Sequence, residues 1–405
     1  MKKLIVRFQK SQAEVLVVGT LAEQDRKIYF EYDASWIESG LQLSPFKLPL
    51  QQGLFEHTDY SFGPLPGLFD DSLPDGWGLL LMDRYFRKLG VDPATLSPLD
   101  RLSYVGTRSM GALTYHPSHE VELDSSILDL HALGKNAEEV FAGSVANVLP
   151  ELERAGGTPG GARPKVLVGV KDDQIISGEN DLPSGFEHWL IKFASREELS
   201  HASRVEYAYS LMAKEAGISF PESRLFDAGN DRCYFGVKRF DREEGNKRKH
   251  VHTFANLIHT NFRIPSTDYV DLFKVTQLLT RNHQDIVELF RRMVFNVASH
   301  NRDDHAKNFA FMMDEHGQWG LTPAYDLTFT EGIGGEHTMS VLGEGMNPSW
   351  EQCVELAAQF GVKKKVALSI IEQVKSATHQ WKKFANTAKC SKSMIKEIAE
   401  QMNCK

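Results

Sequence analysis

The chain has 405 residues, of which 41% are hydrophobic and 25% are charged, a balance typical of a globular protein with two or three domains. No apolar run approaches the ~18–20 residues that a membrane span requires, so a transmembrane protein is not expected. The formal net charge of −8 excludes nucleic-acid binding driven by the overall field of the protein.

The first residues and the cysteines indicate the cytoplasm. "MKKLIVRFQK" contains an apolar run of three residues, which is too short for a signal peptide and is typical of a β-strand. The four cysteines form no CxxC pair, which favours a reducing compartment and argues against a structural zinc. We expect a cytoplasmic protein that does not bind a membrane.

Positive charge is concentrated near the C-terminus. Residues 361–405 contain ten lysines and three glutamates, so the other 360 residues carry a net charge of −15. Such a segment is either a surface for a partner or nucleic acid, or a solvated helical face, which is the commoner case. The sequence leaves open whether this segment contacts DNA.

The first group of predicted elements is rich in strands. Residues 1 to about 60 alternate apolar and polar positions in short runs, which predicts a small antiparallel sheet. A turn-rich stretch, "GPLPGLFDDSLPDGWG", precedes a predicted helix that ends at Gly90. "RLSYVGTRSMGALTYHP" predicts a strand pair, and the polar residues of about 117–150 predict a helical connection.

A Gly-rich loop, "GGTPGGARPK", opens the second group. It leads into an apolar strand, a second strand "EHWLIKFA", the helix "SRVEYAYSLMAKEAG" and a third strand "CYFGVKRFDR". After Arg242 a 3.6-residue periodicity predicts a mainly helical lobe, with helices in "VDLFKVTQLLT", "DIVELFRRMVFNVAS", "WEQCVELAAQFG" and "VALSIIEQVKSATHQWKKFA".

"SHNRDDHAKN", residues 299–308, places charged and amide side chains between two apolar segments. It is either a surface turn or an active site held by two core elements. In protein kinases the catalytic aspartate stands five residues before a metal-binding asparagine. Asp303 and Asn308 have this spacing, whereas Asp304 is only four residues before Asn308 and fits less well.

Three further features follow the chain order of a kinase. Lys192 lies in the apolar strand "WLIKF" and needs a partner, which Glu206 of the following helix could supply. Asp326 follows an apolar stretch, where a second metal-binding carboxylate is expected. The glycines of "GGTPGGARPK" allow backbone N–H groups to approach a phosphate closely.

Each feature alone has a simpler interpretation. The Gly-rich loop matches neither standard phosphate-binding motif and by itself is more often a linker. Lys192 could be a strand-edge lysine, Glu206 a solvated helix residue and Asp326 a turn residue. The DDH cluster at 303–305 could instead bind a divalent metal for hydrolysis. The order of all the features in one chain favours a kinase.

With these motifs, the chain resembles the HipA family, the Ser/Thr kinase toxins of bacterial toxin–antitoxin modules, over nearly its whole length. "FDDSLPDGWG" and "YVGTRSMGALTY" resemble the N-terminal subdomain of that family, "GGARPK" its phosphate loop, "HWLIKF" its lysine strand and "VKRFDR" its hinge. "NRDDHAKNFAF" and "LTPAYDL" resemble its catalytic and metal segments. The implied fold is α+β and protein-kinase-like, with a β-rich N-terminal subdomain (1–125), a kinase N-lobe (126–240) and a helical C-lobe (241–405).

The resemblance also implies roles for individual residues. Asp303 would be the catalytic base, Asn308 and Asp326 would hold Mg²⁺, and Lys192 would contact the ATP phosphates while it pairs with Glu206. The implied ATP-binding residues are Gly160, Gly161, Ala162, Arg163, Pro164, Lys165, Lys192, Lys238, Arg239, Phe240, His305, Asn308, Tyr325 and Asp326.

Two segments of this set would enclose the nucleotide. The loop of residues 160–165 would cover it, and backbone groups of residues 238–240 would meet the adenine. Two residues depart from the family pattern. Lys238 stands where an acidic residue is more familiar, and Thr158 stands where the family has its autophosphorylated serine, seven residues before Lys165. We expect Thr158 to be a candidate autophosphorylation site.

The resemblance implies an ATP- and Mg²⁺-dependent kinase that phosphorylates a translation component, such as an aminoacyl-tRNA synthetase. It also implies a HipB-like helix-turn-helix antitoxin, through which the protein would meet DNA indirectly. Two alternatives remain open: a small-molecule phosphotransferase on the same scaffold, and an inactive binding module that regulates transcription. The intact Lys192, Asp303, Asn308 and Asp326 argue against the inactive module. The sequence names neither the substrate, the antitoxin nor the oligomeric state.

Overall fold

The structure is a computed structural model that describes residues 1–118, 127–143, 148–156, 160–193, 200–229 and 232–402. Its first strands are β1 Lys2–Gln9, β2 Val15–Gln24, β3 Lys27–Tyr32, β4 Leu54–Glu56 and β5 Leu113–His116. They form an antiparallel sheet in the order β4-β3-β2-β1-β5, which confirms the sheet predicted from the alternating pattern. Alternate residues of β1 are buried in the core, namely Leu4, Val6 and Phe8.

Four helices accompany this sheet: α1 Ala34–Ser39, α2 Gly67–Asp70, α3 Gly76–Lys88 and α4 Pro98–Val105. The strand pair predicted for "RLSYVGTRSMGALTYHP" is wrong, because its first part belongs to α4 and only its end forms β5, which pairs with β1. Ser97 and Asp100 form a capping box, and Pro98 occupies the first helical position. Both features favour a helix start at this point.

The second sheet follows α5 Leu130–Phe141 and α6 Pro150–Gly156. Its strands are β6 Lys165–Lys171, β7 Gln174–Ser177, β8 Glu187–Lys192, β9 Ser223–Asp227 and β10 Cys233–Lys238, in the order β7-β6-β8-β10-β9. The helix α7 Ser200–Glu215 lies between β8 and β9 in the chain. The sequence interpretation lacked β7 and β9, which are short and carry polar ends. Lys165 is the register partner of Lys192, so both lysines lie at the same end of the sheet.

The rest of the chain is mainly helical, as predicted. Its helices are α8 Phe254–Ile258, α9 Tyr269–Thr280, α10 His283–Ser299, α11 Trp350–Gln359, α12 Lys364–His379, α13 Trp381–Thr387 and α14 Lys392–Met402. Short strands lie between them: β11 Arg242–Glu243, β12 Lys247–Arg248, β13 His250–Thr253, β14 Thr267–Asp268, β15 Ala310–Met313, β16 Trp319–Leu321 and β17 Met339–Ser340. The helix predicted over "VALSIIEQVKSATHQWKKFA" is interrupted at Gln380, where ψ is 11°.

One apolar core extends from the N-terminal sheet to the C-terminal helices, and it includes Phe30, Phe254 and Phe295. Trp77 and Leu81 of α3 instead pack into a second core with the strands of the second sheet. The N-terminal part thus contributes to both cores. The predicted boundary at residue 125 lies outside the described residues, and the boundary at residue 240 stays a prediction. Within the described ranges, no helix is long and apolar enough to cross a membrane.

Candidate active site

The decapeptide of residues 299–308 connects the end of α10 to β15, and these two elements are largely buried. His300 ends the helix in the left-handed conformation, with φ at 52°. Asp303 exposes 54% of its side chain, whereas the side chain of Asp304 is fully buried. Of these two neighbours, Asp303 is therefore the one that a substrate can reach.

Asp304 is held by several hydrogen bonds within the protein. It accepts from the Tyr269 hydroxyl at 2.7 Å, from Nδ1 of His337 at 3.0 Å and from the backbone N–H of Thr338 at 2.9 Å. A buried carboxylate needs such donors, because a polar group without hydrogen-bond partners in the core is costly. Asp304 therefore anchors the decapeptide to α9 and to residues 337–338.

Asp303 is held through its backbone, which leaves the carboxylate free to act. The side-chain amide of Asn308 donates to the carbonyl oxygen of Asp303 at 2.7 Å. Nε2 of His305 lies 4.0 Å from Oδ1 of Asp303. The His305 ring packs at 5.2 Å from the ring of Phe262, between ring centres. The D-x4-N spacing thus closes a short loop that fixes the position of Asp303.

Lys192 joins three separate segments of the chain. Its ammonium lies 2.5 Å from Oδ1 of Asp326 and forms an ion pair with Glu206 of α7. Burial opposes protonation of this lysine, but the two carboxylates outweigh it and raise the pKa of Lys192. The same ammonium holds the pKa of Asp326 well below its usual range. The ion pair of Lys192 and Glu206 predicted from the sequence is present.

The Gly-rich loop lies next to this cluster. Lys165 donates to the carbonyl oxygen of Gly160 at 2.5 Å. Burial and, to a smaller extent, the positive charge of Lys192 lower the pKa of Lys165 to about 8. Pro164 is buried, while the side chains of residues 162–163 are exposed. Thr158, the predicted autophosphorylation site, lies outside the described residues.

The start of α3 holds the Gly-rich loop from the opposite side. The backbone N–H of Gly161 donates to the carboxylate of Asp75, and the backbone N–H of Trp77 donates to the Gly161 carbonyl at 3.0 Å. Gly76 has a φ of 44°, and a Cβ there would lie 2.7 Å from the Cα of Ala162. The sequence interpretation missed this contact. Its one available signal was the pair of glycines in "DGWG", which a helix start does not by itself require.

Asp75 also reaches the catalytic segment. Its second oxygen lies 3.5 Å from the ammonium of Lys307. The carbonyl oxygen of Lys307 in turn accepts from the Tyr325 hydroxyl at 2.7 Å. One carboxylate of the N-terminal part therefore contacts both the Gly-rich loop and the loop that carries Asp303.

The hinge residues have distinct positions. Lys238 forms an exposed ion pair with Glu187, so its positive charge is balanced on the surface. The buried Arg239 makes two hydrogen bonds to Asp241, at 2.9 and 2.7 Å. The Phe240 ring stacks at 5.8 Å from that of Tyr325, between ring centres. The backbone N–H groups of Lys238 and Arg239 donate within the protein, to the carbonyl oxygens of Glu222 and His188 at 2.9 Å, and the predicted contact of residues 238–240 with an adenine stays a prediction.

The donor set fits a magnesium ion. Asn308 and Asp326 offer amide and carboxylate oxygens, which are the hard ligands that Mg²⁺ takes together with phosphate oxygens and water. The Asn308 amide nitrogen is engaged by the Asp303 carbonyl, which fixes its oxygen on the other side. Among the described residues, no group of three or more His, Cys, Asp or Glu side chains could hold a metal ion.

Comparison with known proteins identifies the family. The model of the HipA-like C-terminal domain matches residues 157–382, and that of the HipA N-terminal domain matches residues 13–116. The chain is 25% identical over 336 residues to a putative kinase, Y4dM, of Sinorhizobium fredii, with 77% of this chain and 75% of the relative covered. It is 24% identical over 180 residues to a putative kinase of Haemophilus influenzae, with 41% of this chain and 51% of the relative covered.

A solved structure has the same fold. It is a chain from the complex of HipA, HipB and operator DNA of the Shewanella oneidensis MR-1 toxin–antitoxin system. The TM-score is 0.72 at 17% sequence identity, and the match covers 98% of this chain and 95% of that chain. This likeness confirms the α+β fold, with a β-rich N-terminal part and a helical C-terminal part. Because the model of the C-terminal domain alone matches more than half of the residues, the chain belongs to the HipA family.

Proposed function

We propose that the protein is an ATP- and Mg²⁺-dependent Ser/Thr protein kinase that acts as a HipA-like toxin. The observation that carries this proposal is that the exposed Asp303 lies near enough to Asp326, the partner of Lys192, for the charge of Asp326 to contribute to raising the pKa of Asp303, while Asp304 is buried as an anchor. A phosphoryl transfer needs mainly a positioned hydroxyl, a cradle for the phosphates and neutralisation of charge. The described residues supply each of these.

We assign a role to each of these residues. Asp303 accepts the proton of the attacking hydroxyl, and His305 lies beside the phosphates. Lys192 and Lys165 place positive charge on the phosphates, and Asp75 holds the Gly-rich loop over them. Asn308 and Asp326 would hold Mg²⁺, which when bound would neutralise negative charge on the phosphates. Asp326 is paired with Lys192, so a metal ion held by Asp326 would compete with Lys192 for this carboxylate.

The partners of the toxin are proposed from the relatives. The complex of a Shewanella HipA with HipB and operator DNA supports a HipB-like helix-turn-helix antitoxin, and contact with DNA through it. Family membership favours a translation component as the protein substrate, such as an aminoacyl-tRNA synthetase. We further propose that Thr158 is autophosphorylated, because it stands seven residues before Lys165, where the family has its autophosphorylated serine. The added negative charge would oppose ATP binding.

Labelled ATP added to a cell lysate tests the main proposal. We expect phosphate on one or a few proteins with the native chain and none with Asp303→Asn. Label on a small molecule would instead show a metabolite phosphotransferase, and absence of any label would show an inactive binding module. Mass spectrometry of the native chain and of Asp303→Asn checks Thr158, which should carry phosphate only in the native chain.

Calorimetry tests the metal assignment. Asp326→Ala should remove the dependence of ATP affinity on Mg²⁺, because it deletes the charged ligand. Asp25→Asn, in an exposed turn between β2 and β3, is the matched control and should leave that dependence unchanged. A Mg²⁺-dependent ATP affinity that survives in Asp326→Ala would contradict the assignment.

A further inference from the structure

A cleft of about 270 Å³ lies beside the candidate active site, between the N-terminal part and the helical part. Residues 62–79 supply one wall and residues 256–263 the other, and Lys307 lies between them. Both walls carry apolar groups, which include Phe62, Leu73, Leu79 and Phe262. The proposed kinase reaction does not use this cleft for the nucleotide.

The cleft adjoins both the segment that carries Asp303 and the phosphate loop. Lys307 lies 4.7 Å above the Phe262 ring, which in turn packs against His305 beside Asp303. On the other wall, Asp75 lines the cleft and also accepts the hydrogen bond of Gly161 in the phosphate loop. A segment seated in the cleft would therefore lie next to the hydroxyl that Asp303 activates.

Asp70 distinguishes this cleft from a purely apolar one. Its carboxylate accepts from the Asn256 amide at 3.0 Å, and in the described part of the chain no cation lies within ion-pair distance of it. Two of the other charged pairs at the walls are closed, Asp75 with Lys307 at 3.5 Å and Arg101 with Asp83 at 2.8 Å, and the remaining charged wall residue is Arg263.

The environment of Asp70 calls for a cationic partner. Burial raises the pKa of Asp70, and the field of Lys307 only partly opposes this. Arg263 stacks on Phe262 at 4.5 Å on the exposed rim, where solvent screens its charge. A buried carboxylate without a counter-ion is costly, and a cation that enters the cleft would relieve that cost.

We propose that this cleft binds a lysine or arginine side chain of the protein substrate, close in sequence to the serine or threonine that is phosphorylated. The aliphatic stem lies against Phe62, Leu73 and Leu79, and the cationic group pairs with Asp70. Such side chains combine an apolar stem with a charged end, which matches the walls and the carboxylate. This inference rests on the proposed kinase function and adds the class of substrate to it.

A peptide library tests the cleft. Each peptide has a central serine or threonine, and one flanking position at a time is varied through all residues. With the native chain and labelled ATP, we expect about tenfold or greater selection for lysine or arginine at one flanking position, because a charge-assisted hydrogen bond discriminates by at least that factor. Asp70→Asn should reduce this selection to near unity, since the amide can still accept from Asn256 but has no charge.

Two further variants separate recognition from folding. Asp70→Glu keeps the charge and should keep the basic preference, whereas Asp70→Lys should shift the preference to acidic residues. Asp25→Asn, a charge removal on the exposed turn, should select as the native chain does. Thermal melting of every variant identifies any that fails to fold. The comparison of Asp70→Asn with Asp70→Glu then decides whether the charge of Asp70 sets the basic preference.

The outcomes distinguish this inference from the proposed function. Labelled peptides or lysate proteins without a basic preference, or an undiminished preference in Asp70→Asn, would overturn the inference and leave the kinase standing. Labelled lysate proteins with no labelled peptide would also overturn it, because the cleft is proposed to read a short segment. Failure to label any protein or peptide would overturn the kinase proposal itself, and the inference with it.

Discussion

At the scale of single residues, Asp303 is expected to accept the proton of the attacking hydroxyl. Asp303→Asn keeps the size of the side chain and the backbone contact with Asn308, but it cannot accept a proton. The phosphorylation rate should fall by about 10²–10⁴, while ATP affinity and the denaturation midpoint stay as in the native chain. Rates and calorimetric ATP affinities of the two proteins check this. A loss of ATP binding in Asp303→Asn would contradict the assignment.

The neighbouring Asp304 should show the opposite behaviour. Asp304→Ala removes the acceptor for Tyr269, His337 and Thr338 and leaves their buried donors unsatisfied. We expect the free energy of unfolding to fall by roughly 3 kcal/mol or more. Urea denaturation measures this, with the exposed Asp303→Ala as the matched control, which should unfold near the native midpoint. Equal midpoints for the two variants would show that the buried contacts contribute little.

Lys165 gives the site a specific pH dependence. Its folded pKa is about 8, so it is protonated below that pH and neutral above it. If its positive charge holds the ATP phosphates, kcat/KM for ATP should decrease as the pH rises through about 8. Lys165→Arg should move this decrease to higher pH, since arginine stays protonated. An identical alkaline limb in both proteins would assign the titration to another group.

At the scale of elements, local patterns predicted the strand of Lys192, the helix of Glu206 and the helix that precedes Asp303. The D-x4-N spacing and the lysine of an apolar strand are each read from one short segment. The contact of Asp75 with Gly161 joins residues 86 positions apart, and neither segment contains a pattern that requires the other. The same limit explains why the strand pair predicted around β5 is wrong. The partner of β5 is β1, at the other end of the N-terminal part.

The turn before α3 should control ATP binding through the Gly-rich loop. Asp75→Ala removes the acceptor of the Gly161 N–H and the partner of Lys307. We expect KM for ATP to rise about tenfold with a smaller change in kcat, because the loss affects the cradle and not the proton transfer. Asp75→Asn keeps an acceptor for Gly161 and should recover part of the affinity.

A purely structural role of Asp75 would give a different result. In that case Asp75→Ala would lower the denaturation midpoint and the amount of active enzyme, and KM for ATP would be unchanged. Asp92→Ala is the matched control, since Asp92 also stands directly before a helix, where it accepts from the Ala94 N–H, and makes no hydrogen bond or ion pair with the described part of the loop. An unchanged KM in Asp75→Ala would remove the N-terminal part from the nucleotide site.

At the scale of the whole molecule, a buried charge cluster joins the hinge to the N-terminal part. Asp241 accepts from the Gly111 N–H at 2.8 Å and pairs with Arg239 and Arg242. Arg242 also donates to the carbonyl oxygens of Gly111 and Ser109, at 2.9 and 3.0 Å. The segment of residues 239–242 is thereby fixed to the loop before β5.

Asp241→Ala should therefore destabilise the molecule as one unit. It leaves the buried guanidinium groups of Arg239 and Arg242 without their carboxylate, and removing one partner of such a cluster costs about 3–5 kcal/mol. Because the cluster and the shared core connect both parts, we expect a single unfolding transition at lower urea, with Trp36 and Trp189 losing their buried environment together. Glu56→Ala, which breaks an exposed ion pair with Lys27, is the control and should leave the midpoint unchanged. Two separate transitions in Asp241→Ala would show instead that the N-terminal part is stable without the hinge, and that the cluster only orients it.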